Sequence, residues 1–239
     1  MKRKKLLLLT MMLSFVFMFT DTSYAKNKAQ INAPKWDGAK AADYAIKHAE
    51  KKDVNKMYTV YSSDCTNFAS QCVFHGGKYM DIPFDYKKKM PKSGGDVYTT
   101  SKEWYYLCKK DYDKKCKSYT PFIASTSWVR CSGNNAFANY WYSYVNGTYR
   151  NLNNVRKEVS LGDVVQVVQK DGTIRHSLIV SDIKTKTVME NNKKKKKVYE
   201  IYFASHSSFY KNKSLNDVDK SARKSYGQGV KYKVINFKA

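Results

Sequence analysis

Several features that would identify a function on their own are missing. The 239 residues include five cysteines and four histidines, and none stands at a C-x-x-C or H-x-x-x-H spacing. Zinc-finger and helix-borne zinc-hydrolase patterns are therefore excluded, and neither a metal nor an organic cofactor is expected. No internal repeat is evident. No nucleic-acid-binding signature interrupts the sequence, so no nucleic-acid partner is expected. Beyond the first 25 residues no apolar stretch is long enough to suggest a membrane span. Acidic residues are scarce: 20 Asp and Glu face 44 Lys and Arg, a formal net charge of +24.

The chain opens Met1-Lys2-Arg3-Lys4-Lys5, runs apolar from Leu6 to about Thr20, and then reads Thr22-Ser23-Tyr24-Ala25. A basic start, a short apolar run and small residues at Ser23 and Ala25 have the form of a secretory signal peptide over residues 1–25. A secreted or cell-wall-associated protein is expected, with residues 26–239 as a single catalytic domain. Outside the cell, so much positive charge suits anionic wall polymers. A solvated basic surface with no specific partner reads equally well. An odd number of cysteines leaves at least one thiol unpaired, and one pairing among Cys108, Cys116 and Cys131 is possible.

Periodicity changes along the chain. Ala41, Ala42, Ala45, Ile46 and Ala49 recur at helical spacing from Asp37 to about Lys51, with Asp37 as a cap. A second helix runs from Asp64 or Cys65 to the stop at Gly76-Gly77, with Phe68, Ala69, Cys72 and Val73 on its inner face. Residues 78–125, rich in Lys, Tyr and turn formers, read as an insertion or lid in which Glu103 to Leu107 alone looks helical. A further helix is expected from Asn135 to Tyr144. The last third switches to strands: Val164 to Val168, then Ile174 to Ser181 after the Lys170-Asp171-Gly172 turn. A third strand is expected near Val188 and another from Val198 to Ser205, separated by a polar loop at Asn191–Lys197. The order predicts an α+β fold, an antiparallel sheet packed against a central helix.

Cys65 lies in the first turn of its helix, where the dipole and free backbone N–H groups favour a thiolate. The N–H of Cys65 can also face the oxyanion of a tetrahedral intermediate. Cys72, two turns along the same helix, reads as core. His176 and His206 lie on predicted strands that can bring them together. His176 is then the base for Cys65, and His206 the group that holds the His176 ring.

The segments Asp64-Cys65-Thr66-Asn67-Phe68-Ala69-Ser70-Gln71-Cys72, Gly76-Gly77, Ser127-Trp128, Gly162-Asp163-Val164-Val165-Gln166 and His176-Ser177-Leu178-Ile179-Val180 resemble, in that order, the putative amidase domain of exported Gram-positive bacterial proteins. That family is similar to the NlpC/P60 and CHAP cysteine peptidases. The resemblance spans about residues 36–216 and implies a papain-like fold with Cys65 and His176 as the catalytic pair. Relatives place His, Asn, Asp or Glu at the third position. Here Ala204-Ser205-His206-Ser207 resembles the family's segment without the tyrosine that precedes its histidine. The resemblance also implies substrate contacts by Asp64 and Tyr61 to a free amine, though Asp64 equally reads as a helix cap, and by Trp128. The implied activity is hydrolysis of an amide bond in peptidoglycan through a thioester, by an amidase or an endopeptidase. The alternatives are a thioester-forming acyltransferase of the same fold and a non-catalytic wall-binding or effector protein.

Overall fold

The fold is known from a computed structural model that describes residues 35–108, 121–190 and 194–238. The expected signal peptide and Cys116 lie outside the described residues. The first helix, α1 (Gly38–His48), starts where the Asp37 side chain accepts the Lys40 N–H at 3.1 Å. It buries Ala41, Ala42 and Ala45, and these small side chains let it lie close against α2 (Cys65–His75). Every residue of α2 from Cys65 to Val73 is buried. A helix hydrophobic or buried all round belongs at the centre of a fold, and α2 is that central helix.

Residues 78–125 differ from the reading made from sequence. They contain a short helix, α3 (Tyr86–Lys89), and the strands β1 (Gly95–Tyr98), β2 (Tyr106–Cys108) and β3 (Phe122–Ser125). These strands form a small sheet in the order β1-β3-β2, with β1 parallel and β2 antiparallel to β3. The expected helix at Glu103–Leu107 is extended chain. Its aromatic side chains explain why: Trp104, Tyr105 and Tyr106 are all buried, and the Trp104 indole donates to Ser70 Oγ on α2 at 3.1 Å. Tertiary packing overrides local propensity here.

Two short helices follow, α4 (Thr126–Val129) and α5 (Phe137–Tyr140). The longer helix expected at Asn135–Tyr144 ends early and continues as a 3-10 turn at Tyr142–Tyr144. Strand β4 (Val145–Tyr149), helix α6 (Leu152–Glu158), strands β5 (Val164–Val168), β6 (Ile174–Glu190), β7 (Lys194–Ser205) and β8 (Tyr210–Ser214), helix α7 (Leu215–Tyr226) and strand β9 (Lys231–Ile235) complete the chain. The main sheet has the order β4-β9-β5-β6-β7-β8, and all its pairings are antiparallel. The segment near Val188 is the far end of β6 and not a separate strand. Residues 194–197, expected in a polar loop, already pair with β6.

The α+β class and the helix-on-sheet packing agree with the sequence, but the sheet is covered on both sides. One face, with Val164, Val168, Ile179 and Ala204, packs with Phe68, Ala69, Cys72 and Val73 of α2. The other, with Val165, Val167, Leu178, Val180 and Phe203, packs with Val155 of α6 and Leu215, Val218 and Ala222 of α7. This accounts for the unbroken Val164-Val165-Gln166-Val167-Val168 run, since a strand buried on both faces need not alternate. Gly162 ties the layers together. Its φ is +84°, and a Cβ there would lie 2.5 Å from the Gly38 carbonyl oxygen, so β5 can begin directly against the start of α1.

Asp163, next to that glycine, is fully buried and accepts the Ser160 N–H at 2.6 Å and the Phe237 N–H at 3.2 Å. Burial outweighs these hydrogen bonds and raises its carboxyl pKa to about 7. An acid whose folded pKa is raised resists ionisation in the native state only. Its contribution therefore makes stability fall as pH rises from about 4 to about 7. Carboxyl-carbon NMR should show Asp163 titrating near neutrality, and Asp163→Asn should remove that component of the pH dependence from urea unfolding.

Candidate active site

The start of α2 is fixed by a buried pair. Asp64 has no exposed surface and His206 almost none. His206 Nδ1 lies 2.5 Å from Asp64 Oδ2, and its Nε2 lies 2.8 Å from the carbonyl oxygen of His48 at the end of α1. The His206 ring is also stacked on Phe68 of α2, with centroids 3.9 Å apart. Asp64 Oδ1 accepts the Tyr61 N–H at 2.9 Å and Asn67 Nδ2 at 2.8 Å. The Asp64 side chain makes no capping bond to the backbone of its own helix; its oxygens are taken by His206, the Tyr61 N–H and the Asn67 side chain. Asn67 extends the network, taking the Trp128 indole N–H at 2.8 Å and donating to the Thr59 carbonyl at 2.9 Å.

This frame presents Cys65, which is 5% exposed. Its thiol pKa is held well below the ordinary range. The largest cause is a hydrogen bond from the Cys131 thiol. Burial opposes it, and the His176 hydrogen bond, the His176 charge and the Ser177 backbone N–H add to the lowering. The single S–H of Cys131 has two acceptors, the Cys65 sulfur and the Ile174 carbonyl at 3.4 Å. The hydrogen bond with Cys65, burial and the charge on Cys65 push the Cys131 thiol up, so the two neighbouring thiols are shifted in opposite directions. Helix position adds to this, because the first N–H groups of α2 have no intrahelical partner and their dipole favours an anion.

Beneath the sulfur lies a polar chain. Thr66 Oγ1 is 2.9 Å from Ser177 Oγ, and Ser177 Oγ accepts Gln166 Nε2 at 3.0 Å. Each of these residues is buried. They anchor the first turn of α2 to β5 and β6, the strand that carries His176. His176 Nε2 lies 3.5 Å from the hydroxyl of Tyr210.

The imidazole of His176, paired with Cys65 in the sequence reading, stands near enough to the Cys65 thiol to help lower its pKa. His206 differs from its expected role: both its ring nitrogens are taken, by Asp64 and His48, so it braces Asp64 and does not hold His176. Asp64 reads from the sequence either as a contact for a substrate amine or as a helix cap; its burial and its bonds to His206, Tyr61 and Asn67 fit neither reading. Trp128 is likewise fully buried, with its indole N–H committed to Asn67, and has no face for a substrate. Tyr61 is partly exposed, and its buried hydroxyl has no hydrogen-bond partner among the described residues.

Cys72 sits in the core between α2 and the sheet, where burial raises its thiol pKa. Cys108 is disulfide-bonded, while Cys65, Cys72 and Cys131 are free thiols. Cys131, which the sequence offers only as a possible disulfide partner, is a free thiol at the site, and Tyr210 joins it there without any mark in the sequence. The described residues contain no cluster of His, Cys, Asp and Glu able to hold a metal ion. They also contain no helix long and apolar enough to cross a membrane.

Two substitutions test this arrangement. Cys131→Ala removes a hydrogen bond to a charged sulfur, a contact worth about 1.5–3 kcal/mol. The pH at which Cys65 becomes half-reactive toward iodoacetamide should then rise by about 1–2 units. His206→Ala leaves a buried carboxyl oxygen without its partner, and urea unfolding should record a loss of about 3 kcal/mol or more.

Among known protein families, the one described as "Putative amidase domain" matches residues 35–227. No curated protein and no solved structure matches the chain. The matched span holds Cys65, His176, Asp64, His206 and both layers of helices around the sheet, and the chain belongs to the putative amidase domain family.

Proposed function

We propose that this protein is a secreted cysteine-dependent amide hydrolase acting on bacterial cell-wall peptidoglycan. Membership of an amidase family gives the reaction class. The observation that supports a cysteine mechanism is the place of Cys65 at the start of a buried helix, with a thiol pKa lowered by neighbours that include Cys131 and His176. A nucleophilic thiolate beside an imidazole at a helix N-terminus is the papain-like solution to amide cleavage, and α2 packed on an antiparallel sheet is the corresponding frame.

Cys65 Sγ attacks the carbonyl carbon, and the carbonyl oxygen becomes an oxyanion facing the N–H groups of the first turn of α2. His176 gives its proton to the departing amine nitrogen, leaving a thioester on Cys65. Water, deprotonated by His176, then attacks the thioester carbon, and the carboxylic acid leaves as the Cys65 thiolate and the protonated His176 are restored. Every step uses side chains, backbone N–H groups and water. Tyr61, partly exposed just before α2, is the candidate contact for the stem peptide. The excess of Lys and Arg would retain the exported protein on anionic wall polymers, more weakly as salt rises.

Purified peptidoglycan incubated with the mature protein should release fragments whose masses identify the bond cut, either at the sugar-peptide junction or within the stem peptide. Cys65→Ala should reduce the rate by at least about 10³-fold. Equal release by both proteins would refute Cys65 as nucleophile. Amine-linked products in the presence of added amine would indicate acyl transfer instead.

A further inference from the structure

With His206 committed to Asp64 and His48, the His176 ring needs another holder. A base that swings freely spends little of its time aligned with the sulfur, and cysteine hydrolases of this kind rely on a third group to fix the imidazole. A side chain in hydrogen-bond reach of the His176 ring is Tyr210, whose Oη lies 3.5 Å from His176 Nε2. The two ring centroids are 6.4 Å apart and inclined at 58°, so the hydroxyl edge of the phenol faces the imidazole. The contact is long, as hydrogen bonds in unliganded active sites often are before substrate tightens them.

The position of Tyr210 is built into the fold. It is the first residue of β8 and pairs with Ser205, the last residue of β7. The turn between them carries Ser207 at φ +73° and Phe209 at φ +45°. Two left-handed non-glycine residues in so short a turn cost energy and persist where the surroundings hold them. The surroundings do so here: His206 is clamped to Asp64 and His48, and Ser207 Oγ accepts the Asp64 N–H at 3.0 Å. One strained turn thus grips the residue before the nucleophile and delivers Tyr210 beside the base. Other charged groups near the phenol are Cys65, whose negative charge adds to burial in raising the Tyr210 pKa, and Lys213, whose Nζ stands 5.0 Å from the ring centroid. A phenol so placed stays protonated and neutral at working pH, and its oxygen remains an acceptor.

We propose that Tyr210 is the positioning residue of the Cys65–His176 pair, its Oη accepting the Nε2–H of His176 when the ring carries the extra proton. The inference rests on the reading of His176 as the base for Cys65. Tyr210 touches neither the substrate nor the reacting atoms in this role. It holds the ring, and a neutral hydroxyl replaces the amide or carboxylate used elsewhere for that task.

Tyr210→Phe keeps the ring and its packing and deletes only the hydroxyl. The midpoint of urea unfolding should stay near that of the wild type. The kcat for peptidoglycan cleavage should drop about tenfold or more with KM unchanged, and the half-reactive pH of Cys65 toward iodoacetamide, measured without substrate, should move upward. His176→Ala serves as the reference in the alkylation assay. If it leaves the wild-type profile unchanged, the pairing of His176 with Cys65 fails, and the proposal with it. If His176→Ala shifts the profile while Tyr210→Phe alters neither the profile nor kcat, the pair stands and Tyr210 is not its holder. A rise in KM with kcat intact would make Tyr210 a substrate contact and overturn the positioning role.

Discussion

Asp64 has no exposed surface, and a carboxyl removed from water costs several kcal/mol unless its oxygens are matched. Matching them takes the ring of His206, the Asn67 amide and the Tyr61 backbone N–H. That one requirement joins three parts of the chain: the connector before α2, the first turn of α2 and the turn after β7. His206 passes the constraint on to the end of α1 through the His48 carbonyl. Because Cys65 follows Asp64 directly, its sulfur is located by a framework of polar bonds as well as by apolar packing.

The electrostatics of the sulfur follow from where this framework places it. Burial alone would raise the pKa of a thiol, as it does for Cys72. Cys65 is nearly as buried yet shifts the other way, because donors converge on it from Cys131, His176 and the Ser177 backbone. Two cysteines on one helix, seven residues apart, thus differ in chemistry through their surroundings. The contrast is a matter of which neighbours the sheet and the loop after α4 bring to each end of α2.

The local part of the site was legible in the sequence and the long-range part was not. A helix beginning at Cys65, with Phe68, Ala69, Cys72 and Val73 inward, is written in its 3.6-residue period, and the strand carrying His176 in the hairpin turn before it. The partners of His206 were not legible, because a strand histidine gives no sign of whether its nitrogens meet a base or a buried carboxyl 142 positions away. Tyr210 is one of twenty tyrosines and carries no local mark. Cys131 follows a four-residue helix, in a loop without periodicity. Helix α7 was readable: Leu215, Val218 and Ala222 lie at helical spacing, and Ser214 accepts the Asp217 N–H at 3.1 Å as its cap. With α7 and α6 recognised, the second covered face of the sheet would have been expected too.

The run Val164-Val165-Gln166-Val167-Val168 reads the same in both directions. Both of its faces are buried, so apolar burial scarcely distinguishes one strand alignment from the next. The bond from Gln166 to Ser177 does distinguish them, since a slip parts the buried Gln166 amide from its acceptor, at about 1–3 kcal/mol. Ser177 is the neighbour of His176. A polar pair that never meets a substrate therefore acts as the indexing pin of the sheet, and it fixes which residue of β6 stands opposite the nucleophile.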